Sequence, residues 1–281
     1  MNKYNPLTFL ITGATSGIGK ATAKSLAQKG ATVIFNTRDQ GRGEAARQEI
    51  QEAAGHDRVH LYDCDLASLS QIRSFAQQVK ADFPVLDGLI NNAGVWVTER
   101  KETEDGHEVN WAVNHLAPFL LTNLLLEPLK ASPQGRVVNV ASAAHQMGKL
   151  DFDDLQGKNR SFSGINAYGT SKLANIAFTV ELARRLEGTS VTANALHPGV
   201  INTGIAREAN VILRTVFKLF PKGPRQGAQT SLYLATSDEV KGVSGKYFDN
   251  KKETQAKAIA YNPEAGKRLW DQSMQMVNGN A

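Results

Sequence analysis

Short apolar and β-branched runs alternate along the chain with longer stretches in which apolar positions return every three or four residues. Uninterrupted apolar runs suit strands covered on both faces, and the stretches between them are long enough for helical crossovers. The pattern predicts an α/β chain with a parallel sheet and helices on both faces. Seven strands are expected, at 7–12, 32–36, 59–62, 86–91, 136–141, 191–196 and 245–248. Helices are expected over 18–29, 69–80 and 165–186, the first stopped by Gly30 as a left-handed cap. No repeat, low-complexity tract or linker interrupts the alternation, so residues 1–281 read as a single domain. The segment 201–226 differs: Val211, Ile212, Leu213, Val216, Phe217, Leu219 and Phe220 fit no strand pattern, and it reads as an apolar flap outside the sheet.

A hydrophobic fraction of 41% and a charged fraction of 21% over 281 residues suit a full core and argue against disorder. The formal charge of +5 arises from 32 basic and 27 acidic residues scattered together, which points to a solvated surface and away from nucleic acid. The excess still draws anionic ligands. Cys64 is the only cysteine, so no intrachain disulfide is expected, a reducing compartment fits, and packing at a strand end is its expected role. The first strand begins within the first ten residues, which leaves no room for a signal peptide. The longest apolar stretch, 116–129, contains Thr122, Asn123, Glu127 and two prolines and is no transmembrane segment. A soluble, cytoplasmic protein is expected.

The first strand ends at Thr12 and runs into Gly13, Ala14, Thr15, Ser16, Gly17, Ile18 and Gly19, with a helix directly after. Glycines there let the backbone turn tightly and approach a pyrophosphate, whose charge is stabilised by free amides at the helix N-terminus. Three residues separate the first two glycines, a wider spacing than in the commonest dinucleotide fingerprint. Farther along, Tyr168 and Lys172 stand one helical turn apart and share a face. A phenol with an ordinary pKa of about 10 is a poor proton carrier at neutral pH, and a fixed ammonium nearby makes its ionised form accessible. Ser142 follows the strand at 136–141, and open α/β sheets place ligands at the C-terminal ends of their strands, so it points toward the same cleft as the glycine turn. Together these features read as a nicotinamide-dependent oxidoreductase.

With this glycine spacing the sequence resembles the short-chain dehydrogenase/reductase family over nearly its whole length. The resemblance implies a doubly wound Rossmann fold and roles for individual residues. Ser142 would hydrogen-bond the substrate oxygen, Tyr168 would exchange its proton, and Lys172 would bind the nicotinamide ribose while favouring the phenolate. Asn114 would complete the tetrad by supporting a water that links Lys172 to solvent. Pro118 lies four residues on, so in a continuous helix the Asn114 carbonyl has no amide partner and is left to hold a water; a plain proline kink with a solvent-facing Asn114 is the alternative. Asp65 and Leu66 would border the adenine, and Asn91, Asn92, Ala93 and Gly94, with Pro198 and Gly199, would line the cofactor. Where family members that use NAD place an acid after the second strand, this chain has Thr37 and Arg38. A guanidinium can hold a ribose phosphate bidentately, so NADP(H) is preferred, with Lys20 as a second cation. Asp39 keeps NAD(H) possible if it reaches the ribose; otherwise it caps the next helix.

Further stretches narrow the resemblance. The residues Thr37, Arg38 and Asp39, the run 138–145, Ser171 through Asn175, His197 through Val200, Gly245 through Phe248, and Arg268, Leu269 and Trp270 resemble the retinol dehydrogenase branch. That branch generally takes lipophilic alcohols and aldehydes, often with NADP. Two departures stand out: no N-terminal membrane anchor is seen, and Ala141 replaces a usual second serine. The apolar flap suits a small lipophilic carbonyl or alcohol substrate, or packs on the protein's own core or a dimer partner. A homodimer or homotetramer is implied, through the helices bearing Asn114 and Tyr168. Steroids, sugars or a tetrapyrrole double bond remain alternative substrates, and a low-turnover NADP-binding regulatory protein is the rival class, against which the intact tetrad argues. A Ser142–His145 hydrolase lacks a nucleophile elbow. His107, His115 and His197 lack metal-ligand spacing, so no metal is expected, and Asp151, Asp153 and Asp154 read as a solvated loop.

Overall fold

The apolar runs form one sheet with a packed core on each face. The computed structural model describes residues 6–199 and 223–279. Its strands are β1 (Thr8–Ile11), β2 (Thr32–Thr37), β3 (Val59–Asp63), β4 (Gly88–Asn91), β5 (Arg136–Val140), β6 (Thr192–His197), β7 (Tyr247–Asp249) and β8 (Lys252–Thr254), in the order β3-β2-β1-β4-β5-β6-β7-β8. The first seven are parallel, and β8 folds back antiparallel on β7. The expected count of seven strands is therefore corrected to eight among the described residues. The missed strand is three residues, Lys-Glu-Thr, after a turn in which Asn250 and Lys251 have positive φ; nothing in it alternates apolar with polar.

The strand order reverses between β1 and β4, which opens a crevice beyond their C-terminal ends. Successive side chains alternate between the faces. Phe9, Ile11, Phe35 and Val138 pack with residues of α1 (Gly17–Gln28), α2 (Gln40–Ala54) and α8 (Pro224–Thr236). Leu10, Ile34, Leu89 and Val137 pack with α3 (Leu69–Asp82), α5 (Ala117–Leu124) and α7 (Gly164–Arg185). Between β4 and α5 lies the single turn α4 (Val109–Trp111), and α6 (Leu126–Ala131) leads toward β5. Gly30, with φ of 85°, ends α1 and donates its N–H to the Ala27 carbonyl, as expected of a left-handed cap. Cys64 is buried in the core, where burial pushes its thiol up to about 12, consistent with a packing role. Residues 201–222 of the expected flap lie outside the described residues, and Pro224 to Gln226 open α8. Among the described residues no helix is long and apolar enough to cross a membrane.

The last helix, α9 (Pro263–Asn278), closes the core over α5 and α7. Its Trp270 ring meets Phe119 at 5.0 Å and Phe178 at 5.8 Å, and the Arg185 guanidinium stacks on the indole at 4.1 Å. Ser273 Oγ bonds His115 Nε2 at 2.9 Å, and Arg73 donates to the Val277 carbonyl at 2.6 Å. Part of the helix pair expected to meet a second subunit, the face with Phe119 and Phe178, is thus covered by the chain itself. Trp270→Ala should lower stability by about 3 kcal/mol, the lower end for loss of a large aromatic because the indole is only half-buried. Urea unfolding measures this, and a loss below about 1 kcal/mol, typical of a surface change, would mean that the helix is held by its polar contacts.

Candidate active site

The loops after β1 and β4 are tied together across the crevice. Thr12 Oγ1 accepts from the amides of Asn92 at 3.1 Å and Ala93 at 3.0 Å, while Asn92 Nδ2 donates to the carbonyls of Thr12 at 2.9 Å and Gly13 at 3.3 Å. This close approach dictates glycine. A Cβ on Gly13, whose φ is 70°, would lie 2.8 Å from Ala93 Cα, and one on Gly19 would run into the Gly13 carbonyl and the Asn92 amide. At the start of α1, Ser16 is extended at the N-cap but its side chain caps nothing, and no acid occupies the first turn. By contrast, Asp39 and Ser68 cap α2 and α3. The amides beside Thr15, Ser16, Gly17, Ile18 and Gly19 and the positive end of the helix dipole are left to a ligand, and the cradle fits a dinucleotide pyrophosphate.

At the end of β2, Asp39 Oδ1 accepts the Arg42 amide at 3.0 Å, so its carboxylate serves as the helix cap. Arg38 is exposed and has no hydrogen bond or ion pair among the described residues. Lys20, the second cation expected here, has its ammonium held by Glu49 at 2.6 Å. Asp65 and Leu66 follow β3 at the same edge of the sheet, where Asp65 Oδ1 accepts the Ala67 amide at 3.0 Å. Pro198 and Gly199 follow β6 at that edge.

The groups expected to react meet beside this cradle. Ser142 N-caps a short turn over Ala143–Met147, its Oγ accepting the Ala144 amide at 3.2 Å. Lys172 Nζ donates to the Val140 carbonyl at 2.9 Å and lies 5.6 Å from the centre of the Tyr168 ring. A Cβ on Gly94 would sit 3.2 Å from Lys172 Nζ and 3.3 Å from Asn114 Oδ1, so the loop after β4 touches both. Burial pushes the Tyr168 phenol up to about 12, with the Ser142 hydroxyl pulling partly the other way. Burial also pushes the Lys172 ammonium down to about 8. The ammonium turns to a carbonyl, and burial holds Tyr168 as a protonated donor at neutral pH.

Asn114 lies in a π-helical turn, Ala112–Leu116, between α4 and α5. Its carbonyl does lose a helical partner, yet it is not left free, because Asn175 Nδ2 donates to it at 2.7 Å. The side chain is fully buried, which overturns the solvent-facing alternative. It pairs with both backbone groups of Val95, N–H to Oδ1 at 2.8 Å and Nδ2 to O at 2.9 Å, and Nδ2 also reaches Ser171 Oγ at 3.0 Å.

Several residues of the site were not expected. Asn110, one turn before Asn114, pairs with Val97 in the same way, N–H to Oδ1 at 3.0 Å and Nδ2 to O at 3.4 Å. Buried Glu108 holds Asn110, accepting from its amide at 3.0 Å and its Nδ2 at 2.8 Å. The i, i+4 spacing of the two asparagines is visible in the sequence, although nothing there shows what they grip. Trp96 stacks on Tyr168, with ring centres 5.7 Å apart and planes 26° apart. His145 places Nδ1 2.7 Å from the Ser142 carbonyl, not its hydroxyl, so it holds the turn and does not activate a hydrolytic serine. His197 Nδ1 accepts the Ala143 amide at 3.2 Å. His115 is a core residue, its imidazole pushed down to about 3 by burial. His107 bridges Gln156 and the Met276 carbonyl. Asp151 and Asp154 face Arg160, and Asp153 faces Arg268.

The short chain dehydrogenase family model matches residues 7–211. Retinol dehydrogenase 14 of Homo sapiens is 46% identical over 292 residues, covering 96% of this chain and 86% of the relative. Retinol dehydrogenase 13 of Homo sapiens is 44% identical over 278 residues, with 96% and 84% covered. Among solved structures, a protein from Mycobacterium Paratuberculosis matches with a TM-score of 0.79 at 35% identity, over 97% of this chain and 95% of that one. A short chain dehydrogenase from Shigella flexneri complexed with NADP matches with a TM-score of 0.67 at 25% identity, over 88% and 98%. The crevice at the strand reversal, the glycine cradle and these matches carry one conclusion: the chain belongs to the short-chain dehydrogenase/reductase family of oxidoreductases, in its retinol dehydrogenase branch.

Proposed function

We propose that this chain, working as a single domain, is an NADP(H)-dependent oxidoreductase that interconverts a small lipophilic aldehyde or ketone and its alcohol. The observation that carries the reading is the meeting of buried Tyr168 and Lys172 with half-buried Ser142 beside the glycine cradle. Gly13 to Gly19 would hold the pyrophosphate, Asp65 and Leu66 the adenine side, and Asn92 to Gly94 with Pro198 and Gly199 the nicotinamide side. The guanidinium of Arg38, unpaired among the described residues and beside an Asp39 already used as a cap, supports the 2′-phosphate of NADP over the hydroxyl of NAD. When bound, the nicotinamide supplies or accepts the hydride.

The protein's own groups handle the oxygen. Ser142 Oγ donates to the carbonyl oxygen and fixes its position. As negative charge grows there, the Tyr168 hydroxyl gives up its proton, and in the oxidative direction the phenolate takes it back from the alcohol. Lys172, still mostly protonated at neutral pH, stabilises the phenolate formed in between. Asn114 keeps one carbonyl lone pair for a water beyond the bond from Asn175. The names of the relatives support a lipophilic alcohol or aldehyde. Any homodimer or homotetramer would use the surface of α5 and α7 that α9 leaves uncovered.

The test is to titrate the purified protein with NADPH and NADH, then follow loss of reduced-nicotinamide absorbance with medium-chain, aromatic and isoprenoid aldehydes. Oxidation of NADPH in strong preference to NADH, fastest with the more apolar aldehydes, is expected. Tight NADPH binding with no oxidation by any aldehyde would overturn the reading.

A further inference from the structure

We propose that Trp96 is a positioning residue for the reaction: stacked on the Tyr168 ring and held by Asn110 and Asn114, it fixes the phenol where its hydroxyl meets a carbonyl oxygen bound at Ser142. The inference rests on the reading of Tyr168 as the proton donor. It starts from the loop after β4, which has no secondary structure of its own over Val95 to Val97. Such a segment needs partners for its backbone groups. Asn114 satisfies both groups of Val95, and Asn110 both groups of Val97. The two amides, one helical turn apart, act as two rungs of a ladder and set the backbone on either side of Trp96.

The clamp is itself anchored. Glu108 holds Asn110, and Asn175 and Ser171 hold Asn114, all of them buried. The loop that carries Trp96 is therefore built onto the π turn and α7, the element that carries Tyr168. Gly164 at the start of α7 has no room for a side chain, because a Cβ there would lie 2.5 Å from the Val97 carbonyl. The indole N–H is buried and unpartnered among the described residues. Among the described residues no hydrogen bond steers the ring, and the stack on Tyr168 and the backbone clamp orient it. An aromatic ring is what the stack uses. Cover from the indole also adds to the burial that keeps the phenol protonated.

The test uses Trp96→Ala and Trp96→Phe in the full chain, with NADPH and the best aldehyde of the panel. For Trp96→Ala, kcat should fall on the order of 10- to 100-fold, the loss that follows from slight misplacement of a reacting group, while the Kd for NADPH and the melting temperature barely move. Trp96→Phe should recover most of kcat, because phenylalanine stacks equally and leaves no buried donor unbonded. A kcat unchanged in Trp96→Ala sinks the proposal. So does a loss matched by weaker NADPH binding or a collapsed melt, which marks a purely structural role, and so does a Trp96→Phe protein that melts normally but is as slow as Trp96→Ala. Tyr168→Phe runs alongside: undiminished turnover there removes the proton-donor reading itself, a failure distinct from that of Trp96.

Discussion

Tyr168→Phe should lower turnover about a thousandfold and leave the Kd for NADPH within about twofold of the parent value, the magnitude expected when a positioned acid is lost. The substitution removes one oxygen and keeps the ring. The stack on Trp96 and the packing of α7 survive, so the cradle at Gly13 to Gly19 is undisturbed. What disappears is the hydroxyl that burial keeps protonated beside Ser142 and that Lys172 can support once it ionises. Ser142 can still bind the carbonyl oxygen, but an ordinary alcohol is a far weaker acid than a phenol. Calorimetric titration with NADPH and single-turnover oxidation of the bound cofactor separate the two effects. Turnover within tenfold of the parent would shift proton donation to a water and leave Tyr168 a packing residue.

Arg38→Leu should weaken NADPH binding about 10- to 100-fold and leave NADH binding unchanged, the range for loss of a charge-assisted bond to phosphate. Exposure of the side chain favours the lower end, because solvent screens the pair. Stability should not change, since Arg38 makes no bond to the rest of the described protein. Equal weakening of both cofactors would show that Arg38 shapes the loop and does not read the phosphate. Unchanged NADPH binding would point to Lys20, released from Glu49, as the phosphate ligand.

The parallel sheet and its edge of ligand-bearing loops were legible in the sequence because the apolar runs are long and the glycine turn sits between a strand and a helix. All seven expected strands are present, and Gly30 ends its helix as read. What escaped has local physical causes. Strand β8 is three polar residues whose pairing depends on a positive-φ turn, and no periodicity marks so short an edge. Pro118 signalled a lost helical bond at Asn114, but the remedy, an amide from Asn175 on another helix, is tertiary and left no local trace. The pairing of Tyr168 with Lys172 was legible as an i, i+4 spacing, whereas the burial that raises the phenol was not, because no spacing reveals it. Trp96 went unnoticed because its neighbour Tyr168 is 72 positions away.

Helix α9 is synthesised after every element it covers. Until it emerges from the ribosome, Phe119 and Phe178 on a nascent α5–α7 pair have no lid, and the Arg73 guanidinium has lost its acceptor. Translation that stalls or terminates before residue 263 therefore releases a chain with its sheet complete and one apolar flank bare. Such a product is a ready client for chaperones and proteases, so cells would lose truncated chains through quality control before any question of catalysis arises.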